Sequence, residues 1–179
     1  MTDRLFLPAL RGQIGDWVYY VAVVKLSDVK ERIHLATEIH TSSTLNEFIQ
    51  RRVTKRSEYI KHYLLEQPQR FFNSLVVGVY GGSPDFYELK IGENPTLGIE
   101  DLPEALDGAV GILRLEGGER LFALDGQHRL AGIRQALDER PQMGDETVSA
   151  VFVGHGQDAE GMTRTRRLFT TLNRYAKPI

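Results

Sequence analysis

The stretch Glu119–Leu137, ERLFALDGQHRLAGIRQAL, constrains the fold more than any other part of the chain. Four apolar residues, Leu121 to Leu124, read as a short buried strand. Leu130, Ile133, Ala136 and Leu137 come after it at the 3.6-residue spacing of a helix that must cover a sheet. Between them stand Asp125, Gly126, Gln127, His128 and Arg129. A carboxylate, a bare backbone, an amide, an imidazole and a guanidinium therefore meet where a helix begins. Free N–H groups and the positive end of the helix dipole lie at that point and suit an anion. The plainer alternative makes Asp125 an N-cap and leaves His128 and Arg129 on a solvated face.

The elements around this junction alternate in type. Asp16–Lys25 is rich in β-branched and aromatic residues and reads as a strand buried on both faces. Leu26–Glu38 fits neither period clearly. A Ser/Thr cap with Glu47 three positions on predicts a helix from Thr44, and a second helix is expected over Lys55–Glu66, ended by Pro68. Phe71–Tyr80 reads as a strand and Phe86–Ile91 as an edge strand, with loop beyond it and a short helix at Glu104–Leu106. Gly111–Leu115 and Arg120–Leu124, joined by Glu116-Gly117-Gly118-Glu119, carry a hairpin signature. Val148–Gly154 is a further strand and Thr163–Tyr175 a helix. Trp17 and the phenylalanines are expected in the core. The order predicts an α/β (α+β mixed) class.

The 179 residues are 41% hydrophobic and 26% charged, which argues for one globular domain and against disorder. A formal net charge of −2 excludes a strongly basic protein that coats nucleic acid, while leaving room for a local basic patch. There is no cysteine, hence no disulfide and no thiolate zinc site, which suits the cytoplasm. His34, His40, His62, His128 and His155 show no metal-ligand spacing. No apolar run approaches a membrane span, and the start MTDRLFLPAL lacks the features of a signal peptide. The chain stops at Lys177-Pro178-Ile179 without a polar tail, as a piece of a longer protein would.

LFALDGQHRLAGI resembles the signature of the DGQHR-domain proteins, a group that includes the DndB-type proteins of DNA phosphorothioation and related DNA-modification and phage-defence systems. The resemblance extends over much of the chain. Arg70–Tyr80 (RFFNSLVVGVY) is similar to the family's first core strand, and Phe169–Ile179 (FTTLNRYAKPI) to a later helix carrying an Asn and a Lys-Pro. Gln50-Arg51 with Tyr59–Leu64 resembles its helical approach. More distantly, the strand–loop–helix unit is similar to ParB-like and sulfiredoxin-like proteins. That likeness implies a small mixed sheet flanked by helices and a loop that holds nucleoside triphosphate. The Cys that sulfiredoxin chemistry needs is absent, and so is a GxxxxGK[ST] loop.

The residues and the resemblance together give a set of expectations. Gly126, Gln127 and Arg129 would bind nucleotide phosphates, with Asn173 and Lys177 closing the site; the plainer roles for those two are a helix C-cap and a solvated amine. Asp125 would hold Mg²⁺ or orient His128, and Asp125 and His128 would be the catalytic pair. ATP or GTP with Mg²⁺ are the expected cofactors. On that reading Arg129→Ala abolishes nucleotide binding and leaves stability nearly unchanged. Arg51, Arg52 and Arg56, with Lys55, Lys61 and His62, can share one helical face for duplex DNA, although most such charge runs are solvated faces without a partner. Three functions remain open: a nucleotide-binding, NTP-hydrolysing domain, a DNA-binding regulator of phosphorothioation genes without catalysis, and a ParB-like nuclease. A homo-oligomer and no membrane association are expected.

Overall fold

The computed structural model describes residues 3–35, 43–92 and 94–155. Its elements in chain order are β1 (Leu5–Ile14), β2 (Trp17–Lys25), α1 (Leu26–Arg32), β3 (Ile33–His34), α2 (Ser43–Glu66), β4 (Leu75–Tyr80), β5 (Asp85–Glu88), β6 (Val110–Leu115), β7 (Arg120–Asp125), α3 (Gln127–Glu139) and β8 (Thr147–His155). Short 3₁₀ turns lie at Glu104–Leu106 and Pro141–Asp145. The class is mixed α/β, as the sequence predicts. The expected helix at Thr163–Tyr175 lies outside the described residues.

All eight strands form one mixed sheet in the order β3-β7-β4-β8-β2-β1-β6-β5, with β3–β7 and β4–β8 parallel and the other pairs antiparallel. This corrects the hairpin expected from Glu116–Glu119: β6 pairs with β1 and β5, and β7 with β3 and β4. The short connection has a large consequence. Five strand spacings separate β7 from β6 along the sheet, which would be about 24 Å if the sheet were flat. The chain from Leu115 to Arg120 can reach at most about 18 Å. The sheet must therefore curl, and ring contacts agree. Tyr20 on β2 and Phe86 on β5 stand 5.0 Å apart between centroids, although β1 and β6 lie between their strands. Phe86 crosses above Gly111, where a Cβ would come within 2.6 Å of the ring.

The inner face carries the core. Ala22, Val24, Leu75, Val77, Leu121, Ala123 and Ala150 from the strands meet Leu130, Ile133, Ala136 and Leu137 of α3. Burying each large aliphatic side chain of α3 contributes about 1.5–3 kcal/mol as an upper bound. α3 in turn packs against α2 at Gly132, where a Cβ would lie 2.5 Å from Ile60 Cγ2, so the helices approach almost backbone to side chain. Ser57 of α2, fully buried, accepts from Gln135 Nε2 at 3.2 Å and stitches the same contact.

Other expectations shift. The two helices read before and after residue 55 are one continuous helix, α2, because no proline or glycine interrupts Ser43–Glu66. β1, unread in the sequence, enlarges the sheet. β2 is not buried on both faces, since Val18 and Val23 are 41% and 49% exposed. The phenylalanines divide: Phe122 and Phe152 are core, whereas Phe6 and Phe71 are exposed, and Trp17 is half-buried. Among the described residues, the outer face of β1, with Phe6, Pro8 and Leu10, is exposed.

Candidate functional site

β7 ends at Asp125 after a bulge. Val77 pairs with Ala123 and Val76 with Asp125, so Leu124 is the extra residue that re-aims the chain beyond it. The chain then turns into α3 through Gly126, at φ 98° and ψ 26°. Only glycine serves here, for two reasons. The left-handed conformation strains a side chain, and a Cβ would sit 2.5 Å from Leu75 Cδ2 and 3.1 Å from an Arg129 guanidinium nitrogen. The helical ladder starts with Leu130 N–H donating to the Gly126 carbonyl at 2.8 Å. Gly126 is itself the N-cap residue, so Asp125 does not cap α3, and the first turn holds no acid.

The four polar side chains of the turn differ in what they touch. Gln127 is 7% exposed and folds back onto its own strand, Nε2 donating to the Ala123 carbonyl at 2.5 Å. Arg129 reaches across to the segment that leads into β4. Its Nη1 donates to the carbonyls of Asn73 (2.5 Å) and Ser74 (3.2 Å), and its Nη2 pairs with Asp125 Oδ2 at 3.2 Å. The guanidinium thus ties the end of β7 to the start of β4, and Ser74 Oγ continues the chain of contacts to Ser149 Oγ on β8 at 2.6 Å. Asp125 keeps 30% of its side chain exposed, Arg129 only 17%. His128 is half-buried beside the helix start.

Sequence reasoning missed the carbonyls of Asn73 and Ser74, because residues 71–74 read as strand while the strand begins at Leu75. The Asp125–Arg129 pair was legible in principle, since carboxylate and guanidinium four residues apart meet on a helix. Asn173 and Lys177 lie outside the described residues, so whether they close this site is not a matter of its geometry. Of the expected basic face, positions 51 and 52 are placed by backbone alone on the side of α2 away from Ser57, Ile60 and Leu64. Lys55 and Arg56 are exposed, Tyr59 is 76% exposed, and Lys61 is held by Glu139 at 2.5 Å. Among the described residues, no three His, Asp or Glu side chains cluster as a metal site.

A second acid has a clear structural task. Glu119 Oε1 accepts from the N–H of Glu116 (2.9 Å) and of Ser83 (3.3 Å), and Oε2 from that of Gly117 (2.9 Å). Partial burial raises its carboxyl, but these donors and its own N–H outweigh burial and hold it below its ordinary value of 4.5.

A family model described as DndB, DNA-sulfur modification-associated, matches residues 7–179. The chain belongs to the DndB family. The match includes both the tie between β7 and β4 and the turn at Gly126, and membership makes this a protein of DNA phosphorothioation. No curated protein and no solved structure matches this DndB-family chain. No helix of the described residues is long and apolar enough to cross a membrane.

Proposed function

We propose that the turn Asp125–Arg129 binds the phosphates of a nucleotide, ATP or GTP with Mg²⁺, and that this DndB-family protein uses it in DNA phosphorothioation. The observation that carries the reading is the opening of α3. A glycine in the left-handed region opens a 13-residue helix, at its positive end, without a capping side chain or an acid in its first turn. The one adjacent carboxylate, Asp125, is already paired with Arg129, so an incoming anion does not face an uncompensated charge.

The roles derive from that geometry. The N–H groups of the first turn of α3 would bind an oxyanion. His128 supplies either an imidazolium for phosphate or a proton acceptor for an attacking water. Asp125, with 30% of its side chain exposed, offers one oxygen ligand, so Mg²⁺ would arrive with the phosphates rather than sit in a protein cage. Hydrolysis rests on that single acid. Calorimetric titration with ATP, GTP and CTP, with and without Mg²⁺, tests the reading. Saturable binding that weakens at least tenfold in His128→Ala supports it, and no heat with any nucleotide from a folded sample refutes it.

A second reading, a DNA-binding regulator, has its own support. α2 is 24 residues, about 36 Å long. Positions 51, 52 and 55 share its outward side with Tyr59, and Arg56 is exposed beside them. That reading expects salt-sensitive affinity for duplex DNA, lost when Arg51, Arg52 and Arg56 are reversed to Glu. Unchanged affinity in the triple variant rejects it.

A further inference from the structure

At the opposite end of β7 from Asp125, the curl of the sheet leaves a cleft of about 250 Å³. It exists because β6 and β7 are joined by four residues yet not hydrogen-bonded to each other. One wall is the end of α1 with β3, bearing Glu31, Arg32 and His34, and the other is the connection and start of β7, bearing Gly117, Gly118 and Arg120.

The wall groups are fixed in place. Arg32 donates through Nε to Asp28 at 3.3 Å and through Nη1 to the Asp3 carbonyl at 2.7 Å, which engages two of its five N–H groups. Its side chain is only 12% exposed. Arg120 places Cζ 5.4 Å from the Phe122 ring centroid, and Phe122 also meets His34 at 6.1 Å and Tyr80 at 5.0 Å. Phe122, at 1% exposure, does not itself line the cleft; it backs the Arg120 guanidinium and the His34 imidazole, which do. Glu119, at the back, is committed to the N–H groups of the turn. Glu31 remains as an exposed acceptor on the rim.

Two arginines against two glutamates give the cleft no excess of positive charge, so it does not select for a bare phosphate. Planar cationic and aromatic groups beside both donors and acceptors suit a neutral, flat, hydrogen-bonding heterocycle. The volume falls just under the roughly 300 Å³ at which pockets for drug-sized ligands begin, so one ring system fits. Nucleic-acid bases out of their stack are held in this way, against aromatic rings or guanidinium planes and by hydrogen bonds along one edge. We propose that this cleft receives a single unpaired nucleobase, supplied by a free nucleotide or by an unpaired position in DNA. The site is separate from the phosphate turn, and its test needs no phosphate.

Gly118 offers a clean perturbation. Its backbone is outside the left-handed region, and a Cβ there would meet nothing within 4 Å, so Gly118→Trp adds bulk to the cleft wall without strain at its point of attachment. Amide and imidazole resonances of the 179-residue chain should be tracked by NMR during titration with each of the four deoxynucleosides, then with a single-stranded and a fully paired oligonucleotide. Saturable shifts at Gly118, Leu121 and His34, with Gly126 and Arg129 unmoved, are expected for at least one base. They should vanish in Gly118→Trp and weaken at least fivefold in Arg120→Ala. Response to a deoxynucleoside identifies the free base as sufficient, and response to the single strand alone identifies the strand as the source. No shift at these residues with any probe overturns the proposal, as does an equal response to the paired duplex.

Discussion

Arg129→Ala separates a structural from a purely ligand-binding arginine. The wild-type guanidinium donates to two backbone carbonyls, of Asn73 and Ser74, and pairs with Asp125. Its side chain is 17% exposed, so solvent screens these contacts only partly. A hydrogen bond from a charged donor contributes about 1.5–3 kcal/mol net, and the lower end suits the carbonyl bonds at this burial. The Asp125 pair, partly exposed, adds about 0–1 kcal/mol. Alanine should therefore destabilise the protein by about 3 kcal/mol, a fall in Tm of roughly 6–12 °C for a domain of this size. Arg129→Lys keeps a point charge without the fork and should recover about a third of the loss. Urea unfolding monitored by circular dichroism measures both, with the midpoint expected to fall at constant slope. A Tm within about 1 °C of wild type in Arg129→Ala refutes the strut and returns the guanidinium to ligand binding alone. The sequence-based expectation of unaltered stability would then stand.

Two further perturbations test the same framework. Gly126→Ala forces a Cβ against Leu75 in a left-handed backbone and should destabilise by about 2–4 kcal/mol, read as a lower urea midpoint; an unchanged midpoint would show that the turn relaxes freely. Glu119 has its folded carboxyl below the unfolded one, so its contribution is present above the unfolded value and lost as pH falls through the folded value. Glu119→Gln should accordingly lower Tm at pH 7 and flatten the fall in Tm of the wild type below about pH 4.5, and parallel pH profiles for the two proteins would remove Glu119 from the acid transition.

The legible part of the fold came from local periodicity. The α3 stripe, the β7 run and the glycine between them were all readable, because a 3.6-residue pattern next to a short apolar run admits few alternatives. The hairpin reading failed for a reason of range. Glu116-Gly117-Gly118-Glu119 permits a tight turn, but whether its flanking strands pair depends on β1, which approaches β6 from over a hundred residues away in sequence. Leu5–Ile14 contains Pro8 and Gly12, which weaken it as a strand, and only its place between β2 and β6 makes it one. The division of labour inside Asp125–Arg129 was equally non-local. Arg129 looks like an anion binder until the carbonyls of Asn73 and Ser74, more than fifty residues earlier, come into reach.

That long-range tie changes how loss of activity at this turn must be read. A variant of Arg129 alters Asp125 through their pair and the entry to β4 through two carbonyls, and Gly126 packs against the same guanidinium. These residues form one coupled unit, so single substitutions within it are not expected to be additive. His128 is the informative position, because it is not itself a partner in the three contacts of Arg129, which join Asn73, Ser74 and Asp125. If His128→Ala loses nucleotide affinity at full stability, the turn binds its ligand directly. If only the Arg129 and Gly126 variants lose it, in step with their stability, the DGQHR segment is the joint that holds β7, β4 and α3 together, and the ligand is held elsewhere on the protein.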